Sequence, residues 1–181
     1  MIITLIGYRG CGKSSVAGPL AKRLGWRWVD ADTEIERRAG KTIRDIFAQD
    51  GESAFRKTEH DVMADLLAES QLVLAAGGGA ILDDDTRRRL REAGPVVWLK
   101  ASVETLADRI AADESTAERR PNLTSNSVSV TEEIADVLAQ REPIYVACAT
   151  LTVDTETHSP AEVVETILAS LPSDLVAGDR A

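Results

Sequence analysis

Gly7-Tyr8-Arg9-Gly10-Cys11-Gly12-Lys13-Ser14 stands directly behind the apolar run Ile2-Ile3-Thr4-Leu5-Ile6. The stretch fits G-x-x-x-x-G-K-[S/T], the phosphate-cradling loop of nucleotide-binding proteins. Glycines at this spacing let the backbone coil until successive N–H groups point inward as an anion nest. A following helix adds the positive end of its dipole. A β-branched strand precedes the loop, and Val16, Leu20 and Leu24 follow it at helical spacing, the context the motif requires. Gly10, Cys11, Gly12, Lys13, Ser14 and Ser15 are therefore candidates for holding nucleotide phosphates. Lys13 would reach the β- and γ-phosphates, and the Ser14 hydroxyl would ligate Mg²⁺. A plain glycine turn between strand and helix leaves Lys13-Ser14 without a purpose.

Around this loop the chain alternates strands and helices. A helix over 14–24 ends at Gly25, a strand over 26–29 closes on Asp30-Ala31-Asp32, and a short helix over 33–38 stops at Gly40. Thr42 opens a helical turn over 43–48 that Gly51 breaks. A longer helix over 52–69 has Phe55, Val62, Met63, Leu66 and Leu67 as its inner face. The apolar run over 72–76 reads as a strand buried on both faces and ends on Gly77-Gly78-Gly79. A helix over 83–93 carries Arg87, Arg88, Arg89 and Arg91 as a solvated outer face. A strand over 96–99, a helix from Ser102 to about 112, a helix from Thr131 to Arg141 or beyond, a strand over 151–154 and a helix over 160–171 follow. Between them, 113–130 is a long, weakly patterned segment with Pro121 near its middle, and such loops are functional or disordered. This order predicts one three-layer α/β domain over 1–171, a parallel sheet with helices on both faces, and a loose tail over 172–181. Such sheets bind ligands beyond the carboxyl ends of their strands.

Bulk properties narrow the partners. A net charge of −9 and a pI near 4.8 argue against nucleic acid and anionic membranes. They leave room for a small anionic ligand, because a local arginine pocket outweighs distant screened charge. Sixteen arginines against five lysines suit bidentate recognition of phosphate and carboxylate. No apolar run approaches the ~18 residues of a membrane span. The chain reads straight into its first strand, so no secretory segment is expected. Cys11 and Cys148 form no metal or redox motif, so a reducing cytoplasm is the expected setting.

The strand ends supply further candidates. Asp30 and Asp32 could project to one side, one serving the metal and the other gripping a hydroxyl-bearing acceptor; alternatively Asp32 caps the next helix. The third strand ends in glycine, so a metal carboxylate must come from elsewhere, and Asp30 is the obvious source. Three consecutive glycines permit very close approach of a substrate to backbone N–H donors. Arg56 and Arg141 are, from the residues alone, surface arginines as readily as ligands. His60 and His158 read as surface residues.

The set Gly7-x-x-Gly10-x-Gly12-Lys13-Ser14, Trp28-x-Asp30-x-Asp32, Phe55-Arg56, Gly77-Gly78-Gly79, Arg120-Pro121, Arg141-Glu142-Pro143-x-Tyr145 and Val153-Asp154-Thr155 resembles shikimate kinase over roughly residues 1–171. Many families share the phosphate loop; the Asp-x-Asp, Phe-Arg and triple-glycine set in this order is more specific. The resemblance implies the nucleoside-monophosphate-kinase-like fold, with a five-stranded parallel sheet and a lid, here about 113–126. It implies Mg²⁺-assisted transfer of the ATP γ-phosphoryl to the 3-hydroxyl of shikimate; separately, the helical patterns leave over no long exposed apolar face, so a monomer is expected. By the same resemblance Asp32 binds the shikimate hydroxyls, Arg56 and Arg141 clamp its carboxylate, and Gly78 donates to it. Arg120 closes from the lid onto the phosphates, Asp30 lies near Mg²⁺ and the attacking hydroxyl, and Arg109 with the 154–160 stretch sandwiches adenine. Catalysis would then fall to Lys13, Asp30 and Arg120. Two places depart from the pattern. Arg119-Arg120-Pro121-Asn122-Leu123 lacks the usual two apolar residues after Arg-Pro and has Asp113, Glu114 and Glu118 nearby. Glu156-Thr157-His158-Ser159 lacks an arginine found there in some relatives, so adenine contact is expected from backbone. A gluconate-type kinase or a non-catalytic ATP-binding module are the competing expectations. A GTPase switch would need Asn/Thr-Lys-x-Asp, which the sequence lacks.

Overall fold

A computed structural model describes residues 1–112 and 129–172. Every residue of β1 (Ile2–Ile6) is buried, as a strand covered on both faces must be. With β2 (Arg27–Asp30), β3 (Leu72–Ala75), β4 (Val96–Lys100) and β5 (Leu151–Asp154) it forms one parallel sheet in the order β2-β3-β1-β4-β5. Leu5 pairs with Ala75, which pairs with Asp30, so the loops after β1, β3 and β2 leave the sheet at nearly one level.

The helices among the described residues are α1 (Lys13–Leu24), α2 (Ala31–Ala39), α3 (Ile43–Gln49), α4 (Gly51–Leu66), α5 (Asp84–Ala93), α6 (Val103–Ala112), α7 (Val130–Cys148) and α8 (Pro160–Ser170). Strand alternation divides the core between the two faces. Ile3 and Leu5 pack with Val16 and Leu20 of α1 and Val163 and Ile167 of α8. Ile2 and Ile6 pack with Ile35 of α2, Phe55 and Met63 of α4, Leu90 of α5 and Tyr145 of α7.

Several boundaries move, each for a local reason. Asp30 is the last residue of β2 and also the N-cap of α2, its side chain accepting from the Asp32 and Thr33 N–H groups. Asp30, not Asp32, is thus the capping residue. Gly51 does not simply break the chain; at φ +83 it opens α4, which stops at Leu66 rather than running to residue 69. A 3₁₀ turn over Ala80–Leu82 follows the triple glycine and was not legible in the pattern. Helix α7 continues through Pro143 to Cys148 because Tyr145 and Cys148 are core residues on its far side. The lid expected over 113–126, with Arg119 and Arg120, lies outside the described residues, as does the tail beyond 172.

Candidate active site

The carboxyl ends of the strands open into a cleft of about 500 Å³. Arg109, Thr155, His158 and Pro160 line it beside β5, Gly10 through Ser15 beneath its middle, and Asp30, Asp32 and Gly78 beside β2 and β3.

The phosphate loop is shaped by its glycines. A Cβ on Gly7, at φ +144, would lie 2.6 Å from the Leu99 carbonyl oxygen and 2.7 Å from Cys11 Sγ, so no other residue fits that turn. Cys11 is itself buried beneath the loop. Lys13 Nζ donates to the carbonyls of Gly7 at 2.9 Å and Tyr8 at 3.0 Å, curled over the loop's own acceptors. Ser14 Oγ donates to Asp30 Oδ2 at 2.8 Å, while Asp30 Oδ1 accepts the Asp32 N–H at 3.0 Å. Capping α2 therefore fixes the Asp30 carboxylate with one oxygen turned to the loop. Among the described residues no group of three His, Cys, Asp or Glu could hold a metal. A hydroxyl beside one carboxylate suits Mg²⁺, which keeps several waters and takes its other ligands from substrate phosphates.

On the β3 side two arginines converge on the triple glycine. Arg141, only 9% exposed, donates from Nη1 to the Gly78 carbonyl at 2.9 Å, and the Tyr145 hydroxyl donates to the same oxygen at 3.1 Å. Burial pushes the Tyr145 phenol well above its ordinary pKa, which keeps it a donor. Arg56 approaches from α4; a Cβ on Gly79 would lie 2.6 Å from its Nη1, so a side chain there would displace the guanidinium from its present place. Glu59 Oε2 and Glu52 Oε1 accept from Arg56 at 2.6 and 3.3 Å and set its direction. At the opposite end Arg109 donates to the Thr155 carbonyl at 2.6 Å and to Thr155 Oγ1 at 3.0 Å, tying α6 to the segment after β5.

Of the sequence-predicted residues that are described, Gly10 through Ser15, Asp30, Asp32, Gly78 and Arg109 line one cleft, whereas Arg56 and Arg141 do not line it and lie against Gly79 and Gly78. His158, expected on the surface, is exposed and also lines the cleft. Arg88 and Arg89 pair with Asp85 and Glu92 on the surface, while Arg87 is half-buried, pairing with Asp84 and donating to the Ile81 carbonyl. Sequence reasoning assigned no role to Tyr145 and Arg9, although both stand in its motifs, and did not single out Glu59 and Glu133. Glu59 carried a signal: it falls on the buried stripe of Phe55, Val62, Met63 and Leu66, where an unpaired acid would be costly.

A phosphate loop at the end of the central strand of a five-stranded parallel sheet, facing a pocket walled by glycines and arginines, defines a P-loop kinase of small molecules. The sequence profile of shikimate kinase matches residues 9–172. The shikimate kinase of Thermobifida fusca (strain YX) is 45% identical over 98% of this chain and 97% of its own length. That of Rhodopirellula baltica is 41% identical over 97% and 92%. A solved structure of shikimate kinase from Acinetobacter baumannii in complex with shikimate aligns with a TM-score of 0.84 at 36% identity, covering 92% of this chain and 90% of the other. The chain belongs to the shikimate kinase family, whose members phosphorylate shikimate with ATP.

Proposed function

We propose that this chain transfers the γ-phosphoryl group of ATP to the 3-hydroxyl of shikimate, with Lys13, Asp30 and Arg120 as catalytic residues. The observation that carries the proposal is the convergence of Arg56 and Arg141 on Gly78 and Gly79, beside a phosphate loop whose Ser14 touches Asp30. Phosphoryl transfer is mostly positioning and charge neutralisation, and these residues divide that labour. The N–H groups from Gly10 to Ser15 cradle the phosphates, and Lys13 leaves the Gly7 and Tyr8 carbonyls to reach the β- and γ-oxygens. Ser14 and Asp30 would hold Mg²⁺, which would neutralise charge on the transferring group. Asp32 accepts hydrogen bonds from the acceptor's hydroxyls, as an ionised carboxylate does. Arg56 and Arg141 bind its carboxylate as two forks, which orients as well as attracts. Gly78 donates from its backbone N–H. Arg109 and residues 154–160 flank the adenine, and Arg120 closes over the phosphates.

The chain acts as a single domain over 1–171 and as a monomer, a proposal supported by the exposed large apolar side chains among the described residues, Met1, Trp28, Leu82, Val130 and Val146, which are scattered along the sequence. Two buried free cysteines suit the reducing cytoplasm as its setting. Among the described residues no helix is long and apolar enough to cross a membrane.

A coupled ADP-release assay tests the activity with shikimate, gluconate or no acceptor. Turnover that depends on shikimate is expected. Equal or greater turnover with gluconate, or release without any acceptor at the same rate, would overturn the proposal.

A further inference from the structure

The phosphate motif leaves the position of Arg9 open to any residue. Its side chain is nevertheless only 14% exposed, and its Nη2 donates to Glu133 Oε1 at 3.2 Å, with the Glu133 side chain 3% exposed. Taking two charges out of water costs much of what their attraction returns, so such a pair is weak as a general stabiliser. What it does supply is a fixed geometry between elements 124 residues apart in the chain.

Both ends of the pair sit at functional junctions. The Arg9 backbone runs beside the triple glycine: a Cβ on Gly78 would lie 4.0 Å from Arg9 N. Glu133 lies in the first turns of α7, and Glu133, Val137, Arg141 and Tyr145 form a buried stripe at four-residue steps. Arg141 stands about 12 Å further along the same helix. Helix α7 is therefore fastened to the strand ends twice, at the phosphate loop through Glu133 and at the Gly78 carbonyl through Arg141 and Tyr145.

We propose that Arg9, acting through Glu133, is a positioning residue for the acceptor-binding Arg141. The inference rests on the activity proposed above. With both fastenings in place, α7 has one rotation about its axis, and the Arg141 fork has one direction. Without the first, the N-terminal end of α7 loses its polar tie to the phosphate loop, and Arg141 depends on core packing and on the contacts at Gly78. Recognition of a carboxylate by guanidinium forks depends on planar alignment, so the loss falls on the acceptor's affinity rather than on the nucleotide's.

The test is a double-mutant cycle on the full chain, Arg9→Met, Glu133→Gln and the pair, with Arg9→Lys as the conservative variant. The cycle isolates the pair from whatever else each residue touches. Each single change should raise the KM for shikimate about five- to tenfold and leave the KM for ATP within about twofold, with the double variant no worse than the poorer single. Arg9→Lys should restore most of the loss. Hydrogen exchange of the amides over 130–137, measured without substrates, should quicken in both singles. Multiplying effects in the double variant, a change confined to the KM for ATP, or unaltered exchange would overturn the proposal. Absence of shikimate-dependent turnover in the unsubstituted chain would instead overturn the activity, while the exchange data still decide the role of the pair.

Discussion

The two halves of the cleft are built in opposite ways. The phosphate end of the proposed nucleotide half is made of consecutive residues, Gly10 to Ser15, and would work chiefly through backbone shape and N–H direction. The proposed acceptor half would draw Asp32 from α2, Arg56 from α4, Gly78 from the turn after β3 and Arg141 from α7. Its arginines are aimed by other side chains and by a carbonyl: Glu59 and Glu52 for Arg56, the Gly78 oxygen for Arg141. A site made of backbone is fixed once its glycines are in place. A site made of converging side chains needs a supporting shell, and a change in that shell alters specificity before it alters chemistry.

The sharpest way to break this division is at Lys13. Lys13→Ala should lower kcat by on the order of 10³-fold, with the melting temperature preserved and the KM for shikimate little changed. Steady-state kinetics decide it, and an unaltered kcat would remove Lys13 from the chemistry.

A matched pair of variants comes next. Arg56→Ala should raise the KM for shikimate roughly 10- to 100-fold, the worth of a charge-assisted hydrogen bond, and spare the KM for ATP. Arg109→Ala should do the reverse, raising the KM for ATP about tenfold. If either variant moves both constants equally, the halves are not independent.

The smallest effect is on stability and belongs to the acceptor half. Glu34 on α2 accepts from Arg37 and Arg38, and Arg38 also pairs with Asp65 near the end of α4. Hydrogen bonds from Arg37 and Arg38 hold the Glu34 carboxyl at about 2, below its ordinary 4.5. A carboxyl depressed by folding stabilises the fold above its unfolded pKa, and that stability is lost as pH falls from about 4.5 to about 2. Arg37 is 69% exposed, so screening keeps the contribution under about 1 kcal/mol. Glu34→Gln should therefore melt slightly below the unsubstituted chain at pH 6, with the gap closing by about pH 2. A gap that persists there would mean the helix brace does not depend on charge.

Much of the fold could be read in advance because its punctuation is local. Gly25 and Gly40 end helices in the left-handed conformation, Thr42 caps α3, Ser102 accepts the Thr105 N–H, and Ser159 forms a capping box. What resisted reading was decided by neighbours far away in the chain. Pro143 is a stop signal locally, yet α7 continues because Tyr145 stacks on Trp98 at 5.6 Å between centroids. Arg9 and Glu133 look like solvated charges in a linear sequence, since nothing near either of them announces the other.

By itself the sequence determined the phosphate loop, the alternation that produces a parallel sheet, and the identity of the glycines at the strand ends. Each depends on backbone conformations that a few adjacent residues impose. Only the tertiary structure decided how the charges around the triple glycine are brought together. The order β2-β3-β1 sets the loop after β3 beside the phosphate loop, so that Arg56 and Arg141 reach the triple glycine while Arg87, Arg88 and Arg89 stay with their helix's own acids. The convergence of long side chains is a property of strand order, and strand order is not written in any one segment of the chain.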